Sequence, residues 1–263
     1  MSESSPILPA HRSQGTGPPL VVLHGLFGSG TNWRSIVRGL EDCRTLHVLD
    51  ARNHGGSEHR EHMDYPALAA DVLRFMDEAE LESADVLGHS MGGKTAMRLA
   101  LDAPSRVRSL MVVDIAPAVS GSDHVPLIDA LLALPLDAYS RRGEADTALA
   151  ATVPEPGLRA FLLQNLVSGP EGLRWRLNLP VIKRCMSELL AFDADAGTPY
   201  AGRTLFVRGE QSDYIAPGHE EVMQRLFPAG RIHTVSNAGH WVHAEQPAAF
   251  LAVAREFYTC SGA

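Results

Sequence analysis

Short apolar runs recur along the chain, each closed by glycine or a polar turn and followed by a stretch with helical spacing. The runs at 18–23, 45–50, 84–87 and 109–113 predict buried strands. Between them, residues 31–40 and 93–101 predict helices. At 65–80, Leu68, Val72, Phe75, Met76 and then Leu81 recur on one face, which predicts an amphipathic helix against a core. Alternation of this kind requires crossover connections, hence a parallel sheet covered by helices on both faces. The pattern breaks from about residue 118 to 200, where no continuous strand is expected. Helical fragments there are separated by Pro126, Pro135, Pro154, Pro156, Pro170 and Pro180. They read as a helical lid inserted into an α/β core, with the core at 1–117 and 201–263 and the lid at 118–200. Alternation resumes with a strand at 204–208, a helix at 217–227, a strand at 231–235 and a final helix at 245–258.

Chemistry concentrates where strand meets helix. Gly88-His89-Ser90-Met91-Gly92 lies between a predicted strand and a predicted helix, the pattern of a nucleophile elbow. The turn is sharp, so Gly88 and Gly92 let its two arms approach and Ser90 takes a strained backbone conformation. The serine then stands at a helix N-terminus, where the Met91 N–H can stabilise negative charge. An earlier glycine-rich loop, His24 to Gly30, has its glycines at 25, 28 and 30, the wrong spacing for a dinucleotide fingerprint. It suits a backbone donor facing the nucleophile, so Leu26 and Met91 are the expected oxyanion-hole pair.

A serine hydroxyl needs a base, and the base needs a third group to hold its tautomer. His240 follows the last strand in a glycine-containing loop, at the sheet edge where such folds place their sites. The order serine, acid, histidine agrees with the elbow. Two acids are candidates. Asp114 ends the strand after the elbow strand, and a carboxylate leaving a buried strand needs a strong partner. Asp213 follows the next strand but lies one residue beyond the usual place, which Ser212 occupies. Asp114 is therefore preferred, with Ser212 lining the site and Asp213 in reserve. Phe27 and Trp241 flank the oxyanion loop and the base, and are expected to wall an apolar acyl pocket.

Charge and cysteine content remove other classes. The net charge of −8 argues against a nucleic-acid partner, which needs a basic footprint. Cys43, Cys185 and Cys260 are widely separated, so neither a disulfide framework nor a thiolate metal site is indicated. The histidine-rich run at 58–62 lacks metal-ligand spacing and reads as a solvated loop. No apolar leader opens the chain and no stretch approaches a membrane span, so a cytoplasmic protein is expected, with the mitochondrion and the periplasm left open.

His24 to Trp33, Arg52 to Ser57, Gly88 to Lys94, Asp114 to Pro117, Trp175 to Pro180 and Gly239 to Glu245 together resemble the α/β-hydrolase superfamily. The likeness is strongest to its YbfF-type esterases and their mitochondrial abhydrolase relatives, and it covers nearly the whole chain from 20 to 257. That resemblance implies a mostly parallel central sheet with helices on both faces and an inserted helical lid. It implies a serine esterase acting on a small-molecule ester or thioester, with no metal or organic cofactor, as a monomer or homodimer. It also favours Asp114 as the acid. An acyl-CoA thioesterase is the second enzyme reading, because Arg141, Arg142, Arg174, Arg176, Lys183 and Arg184 fall in the lid and can meet phosphates. A catalytically silent hydrolase-fold binding protein is the third, since fold alone does not fix function.

Overall fold

The computed structural model describes residues 5–121, 124–170 and 172–259. Cys260 lies outside them. In chain order the strands are β1 (His11–Gly15), β2 (Pro19–Leu23), β3 (Thr45–Leu49), β4 (Ala84–His89), β5 (Val107–Val113), β6 (Leu166–Gly169), β7 (Gly172–Trp175), β8 (Arg203–Gly209) and β9 (Gly230–Val235). The helices are α1 (Arg34–Leu40), α2 (Tyr65–Glu78), α3 (Met91–Asp102), α4 (Val125–Leu132), α5 (Arg142–Leu149), α6 (Pro156–Leu163), α7 (Leu179–Arg184), α8 (Met186–Leu190), α9 (Glu220–Leu226), α10 (Val242–Glu245) and α11 (Pro247–Thr259).

Seven strands form one sheet in the order β1-β3-β2-β4-β5-β8-β9. β1 runs antiparallel to β3, and the other neighbours are parallel. The central strand β4 is buried along its whole length, as expected of a strand covered on both faces, and its one acid, Asp85, is engaged by Ser109 and Arg44. One apolar cluster joins Val21, Val86 and Val112 to Leu68, Val72 and Phe75 of α2 and Met97 and Leu101 of α3. A second joins Leu20, Val22 and Met111 to Ile36 and Leu40 of α1 and Phe250 and Ala254 of α11. Alternate strand residues thus enter opposite layers, and the core is a three-layer α/β/α arrangement.

Two elements differ from the sequence expectation. The polar N-terminal stretch contains β1, whose residues His11 to Gln14 are exposed and so carry no apolar alternation. The region between β5 and β8 holds not only α4–α8 but also the hairpin β6–β7, an antiparallel pair that is separate from the main sheet. Its turn contains Gly169 and Pro170, which signal a break in any pattern. Ile128, Leu131, Leu162, Leu179 and Ile182 of this inserted region belong to the same apolar cluster as α2 and α3.

The turn after β3 fastens that region to the core. Arg52 is fully buried and forms two bonds to Asp71 of α2, Nε to Oδ2 at 2.7 Å and Nη2 to Oδ1 at 2.6 Å. It also donates to the carbonyls of His62 and Ala67. Asn53, at φ 65°, accepts from the Asn178 backbone through its own carbonyl and from the Asn178 side chain through Oδ1, both at 3.0 Å. No helix among the described residues is long and apolar enough to cross a membrane.

Candidate active site

The elbow forms because two glycines remove the obstacle to it. A Cβ on Gly88 would stand 2.1 Å from the Gly92 carbonyl oxygen, and one on Gly92 would stand 2.6 Å from the carbonyl oxygens of Leu23 and His24. Ser90 sits between β4 and α3 at φ 52°, ψ −116°, a conformation that a non-glycine residue holds only under constraint from its surroundings. Its own N–H is anchored to the Val113 carbonyl at 3.0 Å, which extends the β4–β5 pairing into the turn.

Asp114 follows β5 and is likewise strained, at φ 52°. Its N–H continues the ladder to the Val207 carbonyl at 2.8 Å, and its side chain is fully buried. The carboxylate is held from three directions. Oδ1 accepts from the Gly209 N–H at 2.9 Å, and Oδ2 accepts from Ser212 Oγ and from His240 Nδ1, the latter at 2.8 Å. Because the carboxylate accepts at Nδ1, the neutral imidazole keeps Nε2 as an acceptor, and Ser90 Oγ lies 3.0 Å from it. The chain of bonds from serine to imidazole to buried carboxylate is complete without displacement of any group.

The histidine is fixed by more than its acid. Glu245 accepts the N–H groups on either side of it, Gly239 at 2.6 Å and Trp241 at 3.0 Å, and so shapes the loop. The His240 carbonyl accepts from His89 Nε2 at 2.9 Å. The Tyr214 ring stacks on the imidazole at 3.9 Å with 20° between planes. None of Glu245, His89 and Tyr214 was singled out from the sequence, and single polar residues in loops and short helices carry no periodic signal that marks them.

Leu26 and Met91 line one narrow cleft with Ser90, together with Ile115, Leu189 and Tyr214. Met91 opens α3, so its N–H is among the donors that a helix leaves unpaired at its first turn. Leu26 N–H has no acceptor among the described residues. Ser212 is spent on Asp114. Asp213 is exposed and lines a different depression with Tyr214 and His219, without a bond to His240. Phe27 and Trp241 are not among the walls of the Ser90 cleft. Phe27, at φ 60°, is buried edge-on to His124 at 6.0 Å, and Trp241 meets Phe161 at 5.8 Å.

One charged side chain does line the cleft. Lys94, one turn into α3, is 1% exposed and donates to the carbonyls of Leu190 at 2.8 Å and Ala191 at 3.1 Å. Burial pulls its ammonium down to about 7. A lysine among the apolar residues of a predicted helix was the available signal. Among the described residues no group of three metal-type ligands occurs.

Burial also keeps several histidines around the site neutral. His24, His54, His89 and His243 are all lowered from the usual 6.5, chiefly by desolvation, with His54 and His243 reaching about 3. His24 Nδ1 donates to the Gly25 carbonyl and its Nε2 accepts from the Ala51 N–H at 3.0 Å, which secures the start of the loop after β2. In the unfolded chain these rings take up protons near 6.5, whereas in the folded chain His54 and His243 do not until about 3. The unfolded state therefore binds more protons in that window, and stability is lost as pH falls from 6.5 toward 3. For His54 and His243 alone the slope approaches roughly 3 kcal/mol per pH unit in the middle of that window. Urea midpoints measured from about pH 7 down to about pH 5 will show it, and a flat profile overturns the neutral assignment.

The family model described as the alpha/beta hydrolase fold matches residues 18–247, and the chain belongs to that family. Among curated proteins, the sn-1-specific diacylglycerol lipase ABHD11 of Xenopus laevis is 42% identical over 243 residues, covering 89% of this chain and 78% of the relative. The esterase YbfF of Escherichia coli is 32% identical over 247 residues, covering 94% of this chain and 95% of the relative. Among solved structures, a marine microorganism esterase superposes with a TM-score of 0.93 at 36% identity, covering 95% of this chain and 99% of that one.

Proposed function

We propose that the chain is a serine esterase that hydrolyses carboxylic esters through an acyl-enzyme intermediate. The observation that carries this reading is the bond sequence Ser90 Oγ to His240 Nε2 at 3.0 Å and His240 Nδ1 to Asp114 at 2.8 Å. Ser90 attacks the acyl carbonyl while His240 takes its proton. The same imidazole returns the proton to the leaving alcohol, then draws one from the water that releases the acid. Asp114 keeps Nε2 free to accept and stabilises the imidazolium. The N–H groups of Leu26 and Met91 meet the oxyanion, where removal of one donor typically costs about 10²–10³ in rate.

The cleft walls Leu26, Ile115, Met186, Leu189 and Leu190 favour an apolar acyl group. The open space in the cleft itself is about 30 Å³, and a depression of about 250 Å³ shares Ile115, Ser120 and Tyr214 with it. The inserted region, 118–200, supplies Met186, Leu189 and Leu190 to the cleft and takes the part of a lid in this reading. The family comparisons support ester hydrolysis as the reaction class. The silent-protein reading has no support in a site where nucleophile, base and acid are all in bonding contact.

A fluorophosphonate probe tests the assignment. The wild-type protein will be labelled and the Ser90→Ala variant will not, with ester turnover lost in parallel. Labelling that survives Ser90→Ala sinks the proposal.

A further inference from the structure

The seven cations of the inserted region have unequal fates in the fold. Arg184 pairs with Glu61, Lys183 with Asp129, Arg159 with Asp146 and Arg141 with Glu144, while Arg142 donates to the Leu166 carbonyl. Arg174 and Arg176 have no bonding partner for their guanidinium groups among the described residues. Strand alternation explains their direction. Trp175 between them turns inward, donating to the Leu131 carbonyl at 3.3 Å, so residues 174 and 176 share the opposite face. There they line a groove of about 550 Å³, across which β1 presents Arg12, a third guanidinium without a bonding partner among the described residues.

The groove lies on the junction of core and inserted region, apart from the cleft of Ser90. Its single acidic wall residue, Asp50, is already engaged by the N–H groups of Gly30 at 2.7 Å and Gly56 at 2.8 Å. Three arginines against one satisfied carboxylate make a positive concavity in a chain whose net charge is −8. The two sides are held in register. His59 Nε2 donates to the Arg176 carbonyl at 3.0 Å, and Asn178 bonds to Asn53 on the same turn. Arg176 is half-buried while Arg12 and Arg174 are exposed, and three guanidinium groups that converge on one groove from two elements suit a multiply charged anion. Guanidinium forks match phosphate oxygens in pairs, which a carboxylate-poor wall leaves free to happen. The volume falls in the ordinary range for small-molecule sites.

The geometry points to a binding site for an organic phosphate of nucleotide size, held between Arg12 on the core and Arg174 and Arg176 on the hairpin. The shared chemistry is a group with two or more phosphate charges. It arrives either as a free ligand or as the phosphate-bearing thiol of an acyl-coenzyme A substrate. Binding does not depend on the esterase reading, because it is measured on protein without the nucleophile.

Isothermal titration of pyrophosphate and of adenosine 3′,5′-bisphosphate into the Ser90→Ala protein is the direct test. Saturable binding is expected, weakened at least about tenfold in the Arg174→Ser/Arg176→Ser variant and again by Arg12→Ser, and weakened by added salt. These side chains make no described bond, so the variants will fold, and circular dichroism checks that they do. The kinetic arm uses Ser90-intact protein. If the hairpin variant raises KM for acyl-coenzyme A at least about tenfold while p-nitrophenyl butyrate is unaffected, the phosphate is part of a substrate. If both KM values hold while pyrophosphate binding is lost, it is a free ligand. No saturable binding to wild-type arginines, or equal binding to the hairpin variant, overturns the site.

Discussion

Asp114→Asn will lower kcat on a simple p-nitrophenyl ester by about 10⁴ while the protein stays folded. The amide presents an N–H to His240 Nδ1 where the carboxylate presented a lone pair. The imidazole then carries its proton on Nε2 and can no longer accept from Ser90. It also loses the buried negative charge that stabilises the imidazolium. The amide oxygen can still accept from Gly209 N–H, so the local backbone has reason to survive. Asp213→Asn is the matched control. Asp213 is exposed and makes no bond to His240, so kcat will stay within about twofold of wild type. The reverse result, with Asp213→Asn crippled and Asp114→Asn near normal, removes Asp114 from its assigned role.

Arg52→Met will cost about 3–5 kcal/mol of stability, read as a lower urea midpoint at unchanged slope. The substitution leaves the Asp71 carboxylate, 2% exposed, without its guanidinium partner. It also leaves the carbonyls of His62 and Ala67 without their donors. The double variant Arg52→Met/Asp71→Leu removes both charges and will recover much of the loss, because the cost lies in an uncompensated buried charge and not in the absence of the pair. A loss below about 1 kcal/mol for Arg52→Met overturns this account of the turn. Activity will fall together with stability near the transition, since the turn carries Asn53, the anchor for Asn178 in the inserted region.

The parts of the site legible in the sequence are those whose causes are local. Gly88 and Ser90 announce the elbow because the obstruction that Gly88 avoids, the Gly92 carbonyl, lies within the same turn, whereas Gly92 makes room for the carbonyls of Leu23 and His24 on the neighbouring strand end. β2, β3, β4 and β5 are legible because burial on both faces makes them predominantly apolar. β1 is not, since a strand exposed along most of its length needs no apolar pattern and is defined only by its pairing with β3. The hairpin β6–β7 is hidden for a related reason. Its four-residue strands are too short to show a period, and their turn reads as an interruption.

What the chain determined by itself, then, is the order of the buried strands and the helices between them, the strained serine and the presence of a histidine and two acids at one sheet edge. Those follow from backbone sterics and from apolar burial, which act over short stretches. Tertiary structure decided which acid faces the imidazole, because Asp114 continues the β5–β8 ladder and turns its carboxylate onto His240 while Asp213 turns to solvent. It decided that Lys94, buried in an otherwise apolar helix, spends its donors on the carbonyls of Leu190 and Ala191. It also decided which of seven similar cations are neutralised and which two are left to meet Arg12 across a groove. Each of these depends on where a charge finds its counterpart, and electrostatic partners are chosen by distance in the folded molecule, on which position along the chain has no direct bearing.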